Sequence, residues 1–311
     1  METPGFKQRI ARYIGRALRH LLFLAIAGAV ALWGAGFALT HPAQRDVGQP
    51  PPDLPAQTIV FPSASGQLVH GWLVPGIKGQ GAILLLHGVR ANRLSMLGRA
   101  RFLHASGYAV LLIDFQASGE SPGQAISFGY REAGDIEGAL RYLREAAPGE
   151  RVGIVATSMG GAASLLAEPL PDVDAIVLEQ VYPTIEQALK DRLKLHLGVP
   201  GTWLAPLMLA TLPIHLGISP AQLRPIDRIG RLQAPKLLIA GDQDQHTLID
   251  ESRAMFEAAA EPKEFWVVEG AAHVDLYRYA GGAYEQRVGC FLGRWLRDEV
   301  ASSKCAFVAN R

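Results

Sequence analysis

Ser158 lies in the stretch VGIVATSMGG (152–161), where small and branched apolar residues suited to a buried strand pass into a glycine-rich helix start. A serine hydroxyl is a poor nucleophile at neutral pH and needs an adjacent base to take its proton. His273, in VVEGAAHVDLY, follows another apolar run and offers that base. A carboxylate on the second imidazole nitrogen would fix the tautomer and stabilise the imidazolium. Asp242 and Asp244 in LLIAGDQDQHTLI stand just beyond a further apolar run, and Glu179 ends yet another, so all three are candidates. The stretch LLLHGVRAN supplies a glycine, Gly88, that lets a turn expose backbone N–H groups. The amides of Val89 and Met159 are then the expected donors to a developing oxyanion. Such a set performs acyl transfer through a covalent serine intermediate, with no cofactor.

ATSMG differs from the strand–turn–helix pattern G-x-S-x-G only in its first position, where Ala156 adds one methyl. The order Ser158, then Asp, then His273 is one of three orders in which this chemistry recurs. Other polar residues have plainer readings. Asp242, Asp244 and His246 alternate as D-x-D-x-H, but alternation along a loop does not converge three ligands, so no metal is expected. His246 reads as an exposed neighbour of the acid, His87 as a hydrogen-bonded scaffold residue, and Asp114 as a brace for the loop after its strand. Arg90 and Arg93 read as solvated surface, with contact to an anionic substrate the rarer use.

The elements that must position these residues are legible from residue 57 onward. Short apolar runs occur at QTIVF, LVHGWLV, AILLLH, AVLLID, VGIVA, AIVLE, KLLIA and EFWVVE, the first two separated by the hairpin-like PSASGQ. Helix-period segments such as YREAGDIEGALRYLREA and LIDESRAMFEAAA fall between most of the later runs. The expected fold is therefore one α/β domain over 57–300, a mostly parallel sheet of about eight strands with helices on both faces. Each candidate residue then falls at the carboxyl end of a strand, where open sheets bind ligands. The alternation breaks once, over about 181–234, far more chain than a crossover needs. That insert is apolar and interrupted by prolines, and is expected to form short helices over the site. Trp203, Leu207 and Met208 in it either line an acyl pocket or pack the insert itself.

Before the domain, Lys7, Arg9, Arg12, Arg16 and Arg19 precede about twenty uncharged residues, 21–40, long enough to span a hydrocarbon core. Positive charge on the near side favours a cytoplasmic N-terminus (1–20) and a body outside the cytoplasm. A cleaved signal peptide is the alternative, with GFA at 36–38 as a cleavage site, and a buried helix the third. The polar, proline-rich 41–56 reads as a semi-rigid stalk, and 301–311 as a tail. Charged residues make up 19% of the chain and the formal net charge is +1, which excludes a general attraction to nucleic acid. The two cysteines, Cys290 and Cys305, are expected as unpaired thiols.

Taken jointly, HGVRAN, DFQASGESPG, ATSMGG, LRPIDRI…APKLLIAGDQD and EGAAHVDLY make residues 57–300 resemble an α/β-hydrolase-fold serine hydrolase. Within that superfamily the chain is most similar to membrane-anchored bacterial hydrolases of the Bem46 and prolyl-oligopeptidase-like groups. The resemblance places the acid at Asp244, counted from Gly241, with Ser158 as nucleophile and His273 as base. Two positions depart from it: Ala156, and Gln116, where many relatives carry Arg. It implies hydrolysis of a small ester with a short or medium acyl chain or another hydrophobic group. A peptidase, a non-catalytic binding module and a lipid-facing scaffold remain the alternatives. The oligomeric state is open.

Overall fold

The computed structural model describes residues 4–297. Helix α1 (Pro4–Thr40) is continuous for 37 residues, about 55 Å at helical rise. From Gln8 onward it is long and apolar enough to cross a membrane. The segment after it is not a free spacer. Ala43–Gln44 pair in parallel with Ser118–Gly119, the amides of Val47 and Gly48 donate to one Glu120 oxygen, and Leu54 is buried. Polar backbone and one leucine thus hold 41–56 against the body, although its prolines suggest a stalk.

Eight apolar runs become one sheet. Its strands are β1 (Gln57–Pro62), β2 (Leu68–Val74), β3 (Ala82–Leu86), β4 (Ala109–Ile113), β5 (Val152–Thr157), β6 (Ala175–Glu179), β7 (Lys236–Gly241) and β8 (Lys263–Val268). They lie in the order β8-β7-β6-β5-β3-β4-β2-β1. The pairs β1–β2 and β2–β4 are antiparallel and the other five parallel. Every residue of β3, β4 and β6 is buried, because parallel strands covered on both faces have no water-facing side to vary.

Alternate residues of each strand feed two separate cores. Leu84, Leu86, Leu111 and Ile154 pack with α3 (Glu132–Ala146) and α4 (Met159–Leu166). Ile83, Leu85, Leu112 and Val155 pack on the other face, where α2 (Leu97–Ala105) contributes Ala100 and Leu103. Between β6 and β7 the insert forms α5 (Ile185–Leu197), α6 (Ala205–Leu209), α7 (Leu212–Leu216) and α8 (Ile226–Ile229). It has a small core of its own, with Leu209, Leu212, Leu216 and Leu223. The remaining helices are α9 (Ile249–Ala258), α10 (Leu276–Ala280) and α11 (Gly282–Leu296).

Cys290, on α11, is disulfide-bonded, against the expectation of a free thiol. The residue is half-buried. Cys305 and the whole of the expected tail, 301–311, lie outside the described residues.

Candidate active site

β5 runs directly into α4, and Ser158 occupies the junction with φ 51° and ψ −113°. A non-glycine residue held there costs on the order of 1–3 kcal/mol, so neighbouring structure must enforce it. The Ser158 amide donates to the Glu179 carbonyl at 2.8 Å, and the Ser158 carbonyl accepts from the Ala162 amide at 3.0 Å. The turn is also cramped. A Cβ on Gly160 would stand 2.8 Å from the Leu86 carbonyl oxygen, and one on Gly161 would stand 2.3 Å from a Val181 methyl. Ala156 is fully buried in register between Leu86 and Leu178. Its extra methyl is accommodated and the strained turn still forms.

The loop after β3 lies against this turn: a Cβ on Gly88 would sit 3.6 Å from the Ser158 Cβ. His87 holds it in place. Its Nε2 accepts from the Phe115 amide at 3.0 Å, which leaves Nδ1 as the donor to the Gly88 carbonyl at 2.7 Å. Burial pushes the His87 pKa down, consistent with a neutral ring. Val89 and Met159 both border a cavity that Ser158 also lines. Met159 is the first residue of α4, so its amide has no intrahelical acceptor.

The loop after β7 carries Asp244, and that after β8 carries His273, whose Nδ1 lies 2.7 Å from Asp244 Oδ2. Gln180 Nε2 donates to the same oxygen at 3.0 Å, and the amides of His246 and Thr247 donate to Oδ1 at 2.7 and 3.0 Å. Burial pushes the Asp244 carboxyl up, but the bond to His273, its charge and the two amides outweigh that, and its pKa lies below the ordinary value. An ionised Asp244 can only accept, so His273 Nδ1 carries a proton and Nε2 is left to act as base. Ser158 and His273 line one cleft, with Gly88, Val89 and Gln180.

The other candidate acids are occupied elsewhere. Asp242 Oδ1 accepts from the Gly270 amide at 2.7 Å and so ties the two loops together. Glu179 is bound by Arg99, which approaches its two oxygens at 3.0 and 2.5 Å, and by Tyr284 and Thr157. The His246 ring is half-buried, 5.2 Å from that of His273, and burial lowers its pKa. Asp114 accepts from the amides of Arg93 and Glu120 and so braces its loop as expected. Arg93 corrects the expectation of a solvated side chain. It is fully buried, ion-paired with Asp114 and Glu120, and stacks 4.6 Å over the Trp72 ring. Arg90 is exposed, and it donates to the carbonyls of Ala38 and His41 at the end of α1. Gln116 donates its amide N–H and side chain to Asp135, whose pKa burial raises to about 7.

Ser158 also opens onto an apolar cavity of about 190 Å³. Its wall comes from the insert (Ile185, Leu189, Met208, Leu209 and Leu212) and from Gly36, Leu39 and Thr40 of α1. Of the insert residues singled out in the sequence, Met208 lines this cavity, whereas Trp203 and Leu207 are exposed. Sequence reasoning missed Gln180 and Arg192. Gln180 directly follows a strand, a position that could have marked it. Arg192, on α5, borders both the cleft and the apolar cavity. Only the fold brings it there, because nothing in the spacing of the insert aims it inward.

Comparison with known proteins agrees with this fold. The chain is 25% identical over 237 residues to the uncharacterised protein YqkD of Bacillus subtilis, covering 75% of this chain and 78% of that one. It is 28% identical over 271 residues to the uncharacterised protein Rv2307c of Mycobacterium tuberculosis, covering 86% and 84%. Among solved structures, the esterase Pf2001 of Pyrococcus furiosus superposes with a TM-score of 0.68 at 22% identity, over 83% of this chain and 98% of that one. At that identity the likeness speaks for the fold. A profile described as the alpha/beta hydrolase family matches residues 83–284, about two thirds of the sequence, and the chain belongs to that family.

Proposed function

We propose that the protein is a serine hydrolase, held in the membrane by α1, that cleaves a carboxylic ester through an acyl-enzyme. The finer kinship with the Bem46 and prolyl-oligopeptidase-like hydrolases, drawn from the sequence motifs, fits the same reading. The carrying observation is the 2.7 Å contact of His273 with Asp244, in the cleft that also holds the strained Ser158. In this reading His273 Nε2 takes the Ser158 proton as Oγ attacks the ester carbonyl. The amides of Val89 and Met159 stabilise the oxyanion. The alcohol leaves with the proton from His273, and water, activated by the same ring, releases the acid. Asp244 holds the imidazole tautomer throughout.

The cavity beside Ser158 supports an acyl group as the part recognised, because its wall is mostly apolar, with Leu39, Ile185, Leu189, Met208, Leu209 and Leu212. The basic residues before the uncharged span favour a body outside the cytoplasm. The test is a panel of acyl esters and peptide amides given to the full-length protein and to Ser158→Ala. Ester turnover that Ser158→Ala abolishes is the expected result. Preferential cleavage of amides would replace the esterase reading with a peptidase one, and turnover of neither substrate would leave a binding module.

A further inference from the structure

The wall of the apolar cavity joins two parts of the chain that a soluble esterase has no reason to join. Gly36, Leu39 and Thr40, in the last turns of α1, line it alongside Thr211, Leu212 and His215 of the insert. Gly36 is where the two meet most closely: a Cβ there would stand 2.7 Å from Thr211 Oγ1 and 2.8 Å from the His215 ring. Trp33 lies 5.5 Å from the same ring. Arg90, next to Val89, holds the carbonyls at the end of α1, and the Ile126 amide donates to the Thr40 carbonyl at 2.8 Å. The end of α1 is therefore a fixed part of the pocket.

The length of the helix sets where that pocket lies. Arg19 is the last charged residue before the apolar run, which ends with α1 at Thr40. A helix needs about 20 apolar residues to cross the hydrocarbon layer, and residues 21–40 supply that number with none to spare. If α1 spans, Gly36–Thr40 must sit at the far edge of the hydrocarbon, and the cavity they line opens at the bilayer surface. The insert carries a matching exterior. Trp203, Leu207 and Ile214 are 75%, 54% and 70% exposed, on and beside the helices α6 and α7 that touch α1. Leu197, Val199 and Leu204 of the same stretch are exposed as well; exposed apolar residues so densely placed mark an interaction surface, and aromatic residues concentrate at the membrane interface.

We propose that the substrate is a long-chain acyl ester of a lipid in the same bilayer as α1, the carboxyl end of its chain entering the cavity beside the last turn of that helix. This rests on the hydrolase and anchor readings above. Ser158 Oγ bonds to the acyl carbon as the lipid C–O bond breaks. The alcohol half leaves with the proton held on His273, and water then frees the fatty acid into the bilayer.

Full-length protein in phosphatidylcholine vesicles is given a fluorogenic long-chain acylglycerol in its own bilayer, the same ester in separate vesicles, or a short-chain water-soluble ester. The own-bilayer ester is expected to turn over fastest. Gly36→Leu and Leu39→Trp, which add bulk to the cavity wall, are expected to shift the long-to-short turnover ratio at least about tenfold toward the short ester. Leu39 is 40% exposed, so its replacement keeps the test valid should Gly36→Leu fail to fold. Short-ester turnover by Ser158, with no own-bilayer advantage or with a ratio unmoved in the folded variants, overturns the lipid proposal and leaves the hydrolase reading intact. No turnover of any ester overturns both.

Discussion

Gln180 and His273 meet at one oxygen: the Gln180 amide donates to Asp244 Oδ2 at 3.0 Å, and His273 Nδ1 lies 2.7 Å from the same atom. Gln180 also donates to the Ala272 carbonyl at 2.8 Å, so a single side chain fixes both the acid and the backbone next to the base. A carboxylate with all its lone pairs occupied cannot swing, and the imidazole it orients keeps one position.

Replacing Gln180 should therefore loosen the base without touching the nucleophile. Gln180→Leu is expected to lower kcat about 10- to 100-fold, while a small fluorophosphonate still labels Ser158. Gln180→Glu should be worse above the pH at which the new carboxyl ionises, because it sets a like charge against Asp244. The pH profile of kcat for the two variants distinguishes lost positioning from added charge.

Asp244→Asn should lower kcat by up to about 10⁴-fold, the scale expected when an amide favours the wrong imidazole tautomer. Asp242→Asn should do little, since an Asn side-chain oxygen can still accept from the Gly270 amide. Greater damage from Asp242→Asn at equal thermal stability would reverse their assigned roles.

How much of this was legible varies with the kind of residue. The eight strands were readable because parallel strands buried on both faces need unbroken apolar runs. Ser158, Asp244 and His273 were readable because each follows such a run, at the strand ends where the fold converges. Arg93 was misread because an arginine in a loop usually faces water, and only the fold brings Asp114, Glu120 and Trp72 around it. The stalk was misread for a similar reason. Prolines announce stiffness, but the partners that dock the segment, Ser118–Gly119 and Glu120, lie some seventy residues away along the chain. The part of α1 in the cavity wall had no sequence signature, because an apolar residue facing lipid and one facing a pocket look alike.

Arg93→Ala should destabilise the fold by about 3–5 kcal/mol, because it leaves the buried Asp114 without its ion pair. Urea unfolding measures this directly. A loss below about 1 kcal/mol would restore the solvated reading.

Stability should also fall with rising pH across the neutral range. Burial, with the facing Asp191 and Asp244 carboxylates, pushes Glu251 on α9 up to about 8, and burial also raises Asp191 on α5. The folded state thus binds protons that the unfolded state has released above its ordinary carboxylate pKa. That contribution is complete below about pH 4 and is lost as pH rises through about 8. Glu251→Gln should reduce the slope of melting temperature with pH between those limits, the buried Asp135, raised to about 7, supplying part of what remains, and an unchanged slope would place the titration elsewhere.

The central claim is that Ser158 forms the acyl-enzyme. Peptide mass mapping of the full-length protein after reaction with a fluorophosphonate tests it most directly. The account predicts a single adduct on Ser158, slowed by His273→Ala because the hydroxyl then lacks its base, and absent in Ser158→Ala. An adduct on another residue, or none on folded wild-type protein, would contradict it.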